Sequence, residues 1–230
     1  FFQAEDGIRD ADGEILAFTD ADCTPDSAWI DAGVDTLEHE AADLAGGRVV
    51  FEFSEEKTAA ERFDASVNMR NDESVSEGVA KTANLFVRQS VVDEIGLFPD
   101  SLISGGDVYW TRSATDSGFT LKYAEKAIVG HEARRLSSLL HKHFRVGRGQ
   151  VQVWRLKDSR MAFVILKSTV LYPIKIIKFL TKNQNSESGS YSTNHNQLNR
   201  SSKMTVGYLI VAVSAVIIMT LGRIYGICFD

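Results

Sequence analysis

Two aspartates, Asp20 and Asp22, stand two residues apart directly after Glu14–Thr19, a short apolar run rich in strand formers. Ligands of open α/β sheets bind beyond the carboxyl ends of strands, so both carboxylates would face one ligand. Neighbouring carboxylates repel each other unless a cation lies between them. Because Mg²⁺ favours one or two carboxylates together with substrate phosphates, the pair predicts a metal–diphosphate site. A solvated acidic loop is the alternative that spacing alone leaves open.

Other metal and phosphate motifs do not fit. An EF-hand loop beginning at Asp20 would place Pro25 at the glycine position and Asp31 where the bidentate Glu belongs, which excludes it. The chain also has no GxxxxGK[ST] loop, no GxSxG turn and no HExxH helix. Phosphoryl transfer from a P-loop, serine hydrolysis and zincin chemistry are therefore not expected.

Another candidate carboxylate, Asp107, lies in a glycine loop with the sequence SGGD at residues 104–107. Gly105 and Gly106 allow the backbone to approach a ligand closely, and Asp107 would open a helix. A carboxylate in that position suits a general base, and an N-cap aspartate is the structural alternative.

Basic and imidazole side chains follow in the C-terminal half. His131 comes after a predicted strand and is either structural or a ligand. Five basic side chains could hold a diphosphate, face anionic lipid or form a solvated face: Arg134, Arg135, Lys142, Arg145 and Arg148. His141 and His143 are predicted to lie at the surface rather than to form a metal pair.

Strand and helix patterns alternate along the first 150 residues. Strands are predicted at 14–19, 44–53, 84–88, 120–123 and 127–130, and helices from a Thr24 cap to Glu40 and over 58–69, 91–95, 107–118 and 136–146. This order predicts an α/β sandwich with a mainly parallel sheet.

The formal net charge of −6 conceals two opposite halves. Residues 1–130 hold 10 Lys+Arg and 27 Asp+Glu, a net of −17, whereas residues 131–230 hold 15 and 4, a net of +11. An acidic body is not the footprint of a nucleic-acid binder. The two cysteines, Cys23 and Cys228, exclude a disulfide scaffold and a CxxC zinc site.

The C-terminal part predicts attachment to a membrane. Residues 204–221 form an uncharged stretch of 18 residues, which is long enough for a helix that crosses a bilayer. A buried core helix is the alternative. Residues 161–180 are apolar with interspersed lysines, a pattern typical of an interfacial helix. Residues 181–203 are predicted to be a polar linker. Its basic residues precede the span, so the positive-inside rule puts the body in the cytoplasm.

Taken together, the motifs resemble family 2 glycosyltransferases of the GT-A fold. The similar stretches follow the order of the family: GEILAFTDADCTP (13–25), TANLFVR (82–88), IGLF (95–98), SGGD (104–107), the strand ending at His131, and FRVGRGQ (144–150). The resemblance covers roughly residues 11–150. It implies inverting transfer of a sugar from a nucleotide-sugar donor.

The resemblance also implies roles for single residues. Asp22 would bind Mn²⁺ or Mg²⁺ on the donor diphosphate, Asp20 would contact the nucleoside or a metal-bound water, and Asp107 would be the general base. His131 would be a further metal or diphosphate ligand. Arg145, Arg148 and Gln150 would lie at the donor diphosphate, although they match the QxxRW pattern poorly. Thr82, Asn84, Gly105 and Gly106 would lie on the acceptor side.

The resemblance also sets expectations for the domains. Residues 1–10 are expected to be an assembly artefact or a remnant of an absent N-terminal part, because the family places a nucleoside-binding segment ahead of the DxD motif. A partial GT-A domain is expected at 11–150, interfacial helices at 151–180, the linker at 181–203 and a transmembrane helix at 204–222. Expected partners are a nucleotide-sugar, a lipid-linked or polysaccharide acceptor and membrane lipid.

Three functions remain open from the sequence. The first is a membrane-attached, metal-dependent glycosyltransferase. The second is a truncated or degenerate relative that binds at a membrane without catalysis. The third, an acidic Ca²⁺-binding surface protein, would bind metal and no nucleotide.

Overall fold

The computed structural model describes residues 13–156 and 195–230, and the chain divides into two compact units. Among the described residues, the first unit holds 13–55 and 65–133, and the second holds 56–64, 134–156 and 195–230. The predicted interfacial helices beyond residue 156 and the linker up to residue 194 lie outside the described residues.

The described strands are β1 (Ile15–Thr19), β2 (Cys23–Pro25), β3 (Leu44–Glu52), β4 (Asn84–Arg88) and β5 (Leu121–Glu132). The helices are α1 (Trp29–His39), α2 (Ala59–Val67), α3 (Asn71–Ser74), α4 (Gln89–Ile95), α5 (Gly106–Asp116), α6 (Leu136–Leu156) and α7 (His195–Phe229), with a 3₁₀ turn at Val75–Glu77.

The five described strands form one mixed sheet in the order β1-β4-β3-β5-β2. Of its four pairings within the described residues, only β3 with β5 is parallel. The α/β class agrees with the sequence, whereas this part of the sheet is more antiparallel than the predicted arrangement. The reason is that β4 lies between β1 and β3 and runs against both.

The strand β5 unites the two strands predicted at 120–123 and 127–130. Gly47 of β3 pairs with Ala124 and Arg48 pairs with Ile128, so residues 125–127 are skipped in the ladder. Such a bulge bends a strand and re-aims the side chains that follow it. It therefore sets the register of the second half of β5, which carries His131.

The strand β4 is an almost continuous apolar run because both faces of the sheet are covered at this strand. Leu85 and Val87 pack with Trp110 in one cluster, and Phe86 packs with Trp29 in the other. The alternation follows from the two-residue period of a strand. The strand β4, which lies between β1 and β3, is thus buried on both faces and is a core element of the first unit.

The start of α1 differs from the prediction that Thr24 caps it with Pro25 at its first position. Cys23–Pro25 instead form β2, which pairs with β5. The turn before the helix is closed by Asp26, whose carboxylate accepts a hydrogen bond from the Ala28 N–H at 3.0 Å. Pairing with a strand distant in sequence overrode the local capping signal.

In the second unit, α6 and α7 approach each other closely at glycines. A Cβ on Gly147 would collide with the carbonyl oxygen of Met219, and one on Gly222 with that of Phe144. Arg223 is almost fully buried and donates to Gln150 Oε1 at 2.8 Å. Small residues and polar contacts such as this one therefore hold the helix pair together.

The apolar helix extends further in both directions than the span predicted at 204–222. Residues 206–229 have a mean hydropathy of 2.0, long and apolar enough to cross a membrane, and 39% of the most apolar window is buried. The helix begins at His195, nine residues before Met204, so residues 195–203 of the predicted linker are helical. Extending an existing helix costs little because each added residue also adds a hydrogen bond.

A cluster of charges is enclosed in the second unit. Asp64 is fully buried and accepts the backbone N–H of Arg134 at 2.9 Å, with the Lys142 ammonium 3.6 Å from its other oxygen. His143 lies beside it on α6 and is only 2% exposed. The prediction that His143 lies at the surface is wrong, because this face of α6 packs against Phe63 and not against solvent.

Candidate metal and donor site

The candidate site begins where β1 ends. Asp20 and Asp22 occupy the turn between β1 and β2, which is closed by a hydrogen bond from the Cys23 N–H to the Asp20 carbonyl at 3.0 Å. The strand β2 then runs antiparallel to β5 and places Cys23 directly opposite His131. Side chains of residues that face each other in antiparallel strands lie on the same face of the sheet. The pairing thus brings the acidic turn to the end of β5.

His131 is oriented for a ligand role. Its ring is 1% exposed and its Nδ1 lies 2.6 Å from the Glu132 carbonyl oxygen. A carbonyl only accepts, so Nδ1 carries the hydrogen, and in the neutral ring Nε2 has the lone pair. Nε2 has no hydrogen-bond partner among the described residues and lies 3.5 Å from Asp22 Oδ2. A buried acceptor that faces a carboxylate suits a cation between the two.

Cys23 is a third member that the sequence analysis did not assign. Ligand atoms of Asp22, Cys23 and His131 all lie within 4.8 Å of one another. Burial and then the charges of Asp20 and Asp22 raise the pKa of the Cys23 thiol. The signal that could have found it is the strand register, which a local pattern does not carry.

The donor set fits a divalent cation. One carboxylate oxygen, one imidazole nitrogen and one sulfur converge, and the Asp22 side chain is 60% exposed, so a substrate oxygen could complete the coordination. The ring of Phe51 lies 5.4 Å from the ring of His131 and packs beside the imidazole. The side-chain chemistry therefore agrees with the predicted metal–diphosphate site.

Asp107 is the second residue of α5. Gly105 precedes the helix with φ of +85°, a conformation that favours glycine. The carboxylate accepts the Val108 N–H at 2.8 Å, and the Asp107 carbonyl accepts the Thr111 hydroxyl at 2.7 Å. Asp107 is half-buried and thus held at a rigid helix start, with Gly106 as the first helical residue.

Asn84, predicted on the acceptor side, is fully buried inside the sheet. Its amide donates to the carbonyls of Arg48 and Ala127 at 2.9 and 2.8 Å, and its oxygen accepts the Trp29 Nε1–H at 2.9 Å. It thereby braces the bulge that positions the end of β5. Thr82 is half-buried just before β4.

The predicted diphosphate-binding residues belong to the second unit. Arg148 donates to both carboxylate oxygens of Asp230, at 2.9 and 2.6 Å. Gln150 accepts from Arg223, whereas Arg145 is exposed. Their role at the donor stays a prediction.

A cavity of about 360 Å³ opens beside β3 in the first unit. It is lined by Arg48, Val49, Val50, Phe51, Phe53, Ala65, Met69, Arg70, Asn71, Asp72 and Tyr123. Phe51 forms part of this wall and its ring also contacts that of His131, so the cavity lies next to the candidate metal cluster. Met69 has φ of +52°, a strained conformation of the kind that concentrates at functional sites.

Comparison with known proteins gives the sequence context. Residues 4–96 match the model of the family described as glycosyl transferase family 2. Over 151 residues the chain is 52% identical to glycosyltransferase AglE of Haloferax volcanii, an alignment that covers 65% of this chain and 50% of that protein. The chain thus spans about half the length of this curated relative.

A solved structure gives the fold context. The mannosyltransferase PcManGT from Pyrobaculum calidifontis, solved in complex with GDP-Man and Mn²⁺, resembles this chain with a TM-score of 0.61 and 14% identity. The match covers 97% of this chain and 65% of the mannosyltransferase. At this identity the likeness concerns the fold, and it confirms a GT-A-like α/β arrangement. Residues 4–96 therefore match glycosyl transferase family 2 in sequence, and the chain shares a GT-A-like fold with the mannosyltransferase.

Proposed function

We propose that this chain is part of a metal-dependent, inverting glycosyltransferase that moves a sugar from a nucleotide-sugar to a lipid-linked or polysaccharide acceptor at a membrane. The observation that carries the proposal is the buried Nε2 of His131, unpaired among the described residues and 3.5 Å from the Asp22 carboxylate. Family and fold supply the reaction class, and the side chains at the end of β1 and β5 supply the donor site.

Residues of the first unit would have separate roles at the donor site. Asp22 and His131 would hold Mn²⁺ or Mg²⁺, and Asp20, two residues earlier in the same turn, would contact the nucleoside or a metal-bound water. When bound, the cation supplies positive charge to the diphosphate of the donor. Glu132 holds the His131 ring in place through its carbonyl oxygen.

Asp107 would remove the proton of the acceptor hydroxyl as its oxygen attacks the anomeric carbon. The bond from that carbon to the diphosphate oxygen breaks, and the nucleoside diphosphate leaves with the electron pair. Attack opposite to the leaving group inverts the anomeric centre. A carboxylate with a fixed rotamer suits this task, because general-base catalysis requires hydrogen-bond reach to the proton.

The apolar helix of the second unit supports the membrane location, and the cavity of the first unit supports a sugar ligand. The apolar helix segment at residues 206–229 suits a membrane, and Arg200 and Lys203 precede it, which favours a cytoplasmic face for the preceding part. The cavity beside Phe51, at about 360 Å³, lies in the size range of small-molecule sites and has aromatic and polar walls, which supports it as a place for a sugar. The donor of the mannosyltransferase, GDP-Man, is a first choice in a panel of donors.

The test is release of nucleoside diphosphate from a panel of nucleotide-sugars, with Mn²⁺, lipid extract and the chain in detergent. Asp107→Asn should lower transfer by about 10²–10⁴-fold and leave donor binding intact, because only proton removal is lost. The matched control is Asp116→Asn, at the exposed far end of the same helix. An Asp107→Asn variant with full transfer would remove Asp107 from this role. Absence of any Mn²⁺-dependent donor binding would favour the non-catalytic alternative.

A further inference from the structure

The sulfur of Cys23 is not needed by the proposed donor site. Mg²⁺ and Mn²⁺ prefer oxygen ligands, whereas a thiolate selects softer cations such as Zn²⁺. Yet the Cys23 sulfur lies within 4.8 Å of the ligand atoms of Asp22 and His131. A thiol beside an oxygen-preferring site therefore changes which cation that site binds best.

The second observation is independent of the thiol. The Nε2 of His131 lies in a residue that is 1% exposed, has no hydrogen-bond partner among the described residues and points at the same cluster. The Glu132 carbonyl fixes its tautomer in the way that outer partners of zinc-bound histidines do. An imidazole, a thiolate and a carboxylate with one open position are a set typical of zinc.

The distances are compatible with one ion. Zinc bonds to nitrogen, oxygen and sulfur run from about 2.0 to 2.3 Å, so tetrahedral ligands lie about 3.5 Å apart. The separation of up to 4.8 Å then requires a contraction of about 1 Å. The Asp22 side chain can supply it, because it is 60% exposed and lies in a turn.

We propose that Asp22, Cys23 and His131 bind Zn²⁺ through the Cys23 thiolate, and that zinc thereby displaces the activating cation from the donor site. Cys23 gives its proton to solvent as the sulfur–zinc bond forms, and no redox change occurs. Zinc binding stands on the three side chains alone, whereas inhibition also rests on the proposed glycosyltransferase function. Zn²⁺ binds such ligands more tightly than Mn²⁺, so it should win the competition.

Co²⁺ serves as the spectroscopic probe for this zinc site. Added to the purified chain in detergent, it should give a thiolate-to-cobalt charge-transfer band that Zn²⁺ then erases. The band should be absent in Cys23→Ser and present in Cys228→Ser, a matched control in which the exposed second cysteine is changed. A band that survives in Cys23→Ser, or no band in the unaltered chain, would overturn the proposal.

Alkylation tests the same site without any substitution. At about ten times its dissociation constant, Zn²⁺ should slow the modification of Cys23 by iodoacetamide about tenfold, because only about a tenth of the thiols remain free. Cys228 in the same molecule should react at an unchanged rate. Equal rates at Cys23 with and without Zn²⁺ would contradict the proposal.

Activity separates this proposal from the proposed function. Zn²⁺ should inhibit Mn²⁺-dependent transfer by the unaltered chain, and Cys23→Ser should need at least about tenfold more Zn²⁺ for the same inhibition. Equal inhibition of both would reject the role of the thiolate. If the cobalt band depends on Cys23 but no nucleotide-sugar binds, the zinc site stands and the glycosyltransferase proposal fails.

Discussion

Two clusters in this chain each contain a carboxylate and an imidazole, and they differ in the burial of the carboxylate and in the groups that face it. Around Asp22, the carboxylate is 60% exposed and faces an imidazole nitrogen that has no hydrogen-bond partner among the described residues. Around Asp64, the carboxylate is fully buried and faces the cations of Arg134 and Lys142 at 3.6 Å each. In the second cluster the cations are supplied by the protein itself, whereas the Asp22 carboxylate contacts the imidazole of His131.

The difference separates a binding site from an internal brace. A buried charge is tolerated when it is paired, and removing one partner leaves the other uncompensated. The Asp64 cluster thus connects the start of α6 to the segment 56–64 within the second unit. In the Asp22 cluster, the His131 Nε2 has no hydrogen-bond partner among the described residues, and the Asp22 side chain is largely exposed to solvent. This combination favours binding of a ligand from solution.

The largest expected effect is on the closed cluster. Asp64→Ala should lower the free energy of unfolding by about 3–5 kcal/mol, because Arg134 and Lys142 would remain buried without a counter-charge. Denaturant unfolding in detergent measures it. A loss below about 1 kcal/mol would show that these cations reach water and that the cluster is not closed.

The next effect is a pH dependence of the closed cluster. Burial, and then the charge of Lys142, lower the pKa of His143 from 6.5 to about 4. The unfolded chain then binds a proton more readily, so the stabilisation is fully present above pH 6.5 and is lost as the pH falls towards 4. The loss should be about 3 kcal/mol.

The control for this pH effect lies on the same helix. His143→Gln should remove the loss between pH 6.5 and 4, whereas the exposed His141→Gln should retain it. Unfolding curves across this range compare the two. Identical pH profiles for both variants would contradict a buried, neutral His143.

A cation should stabilise the open cluster. At about 100 times its dissociation constant, Mn²⁺ or Zn²⁺ should raise the free energy of unfolding by about 2.7 kcal/mol, because the folded state alone presents the ligands together. Thermal unfolding with and without the cation measures this. Equal stabilisation of an Asp22→Ala variant would show that the cation binds elsewhere.

The smallest expected effect is that of Asp22→Ala on the cation-free chain. Since Asp22 is largely exposed, the free energy of unfolding should change by no more than about 0.5 kcal/mol. Mn²⁺-dependent donor binding should nevertheless weaken, as measured by titration with a nucleotide-sugar. Asp31→Ala, an exposed aspartate on α1, is the control that should alter neither. Unchanged donor binding in Asp22→Ala would contradict its metal role.

Much of the local structure was predictable because its signals are local. The apolar run ending at Asp20 forms β1, residues 84–88 form β4 as predicted, and Gly105 starts α5 in a conformation that favours glycine. The DxD spacing and the order of motifs also led to the family. Each of these signals lies within a few residues of the structure that it specifies.

Other features were mispredicted where distant contacts decide. Thr24 and Pro25 have the sequence pattern of a helix start. They form a strand instead, because they pair with β5. His143 looked like a surface residue in a basic run and is buried instead. The side chain of Asn84 braces β3, β5 and α1, which its neighbours in sequence do not indicate, and its position on the acceptor side stays a prediction.

The sequence by itself determined the acidic turn, the apolar strand β4, the glycine loop before Asp107 and the apolar helix near the C-terminus. Only the tertiary structure decided that Cys23 lies opposite His131, more than a hundred positions later in the chain. The physical reason is the register of β2 on β5 and the bulge at residues 125–127. If the strand register or the bulge were shifted by one residue, the imidazole of His131 would lie on the other face of the sheet, away from Asp22.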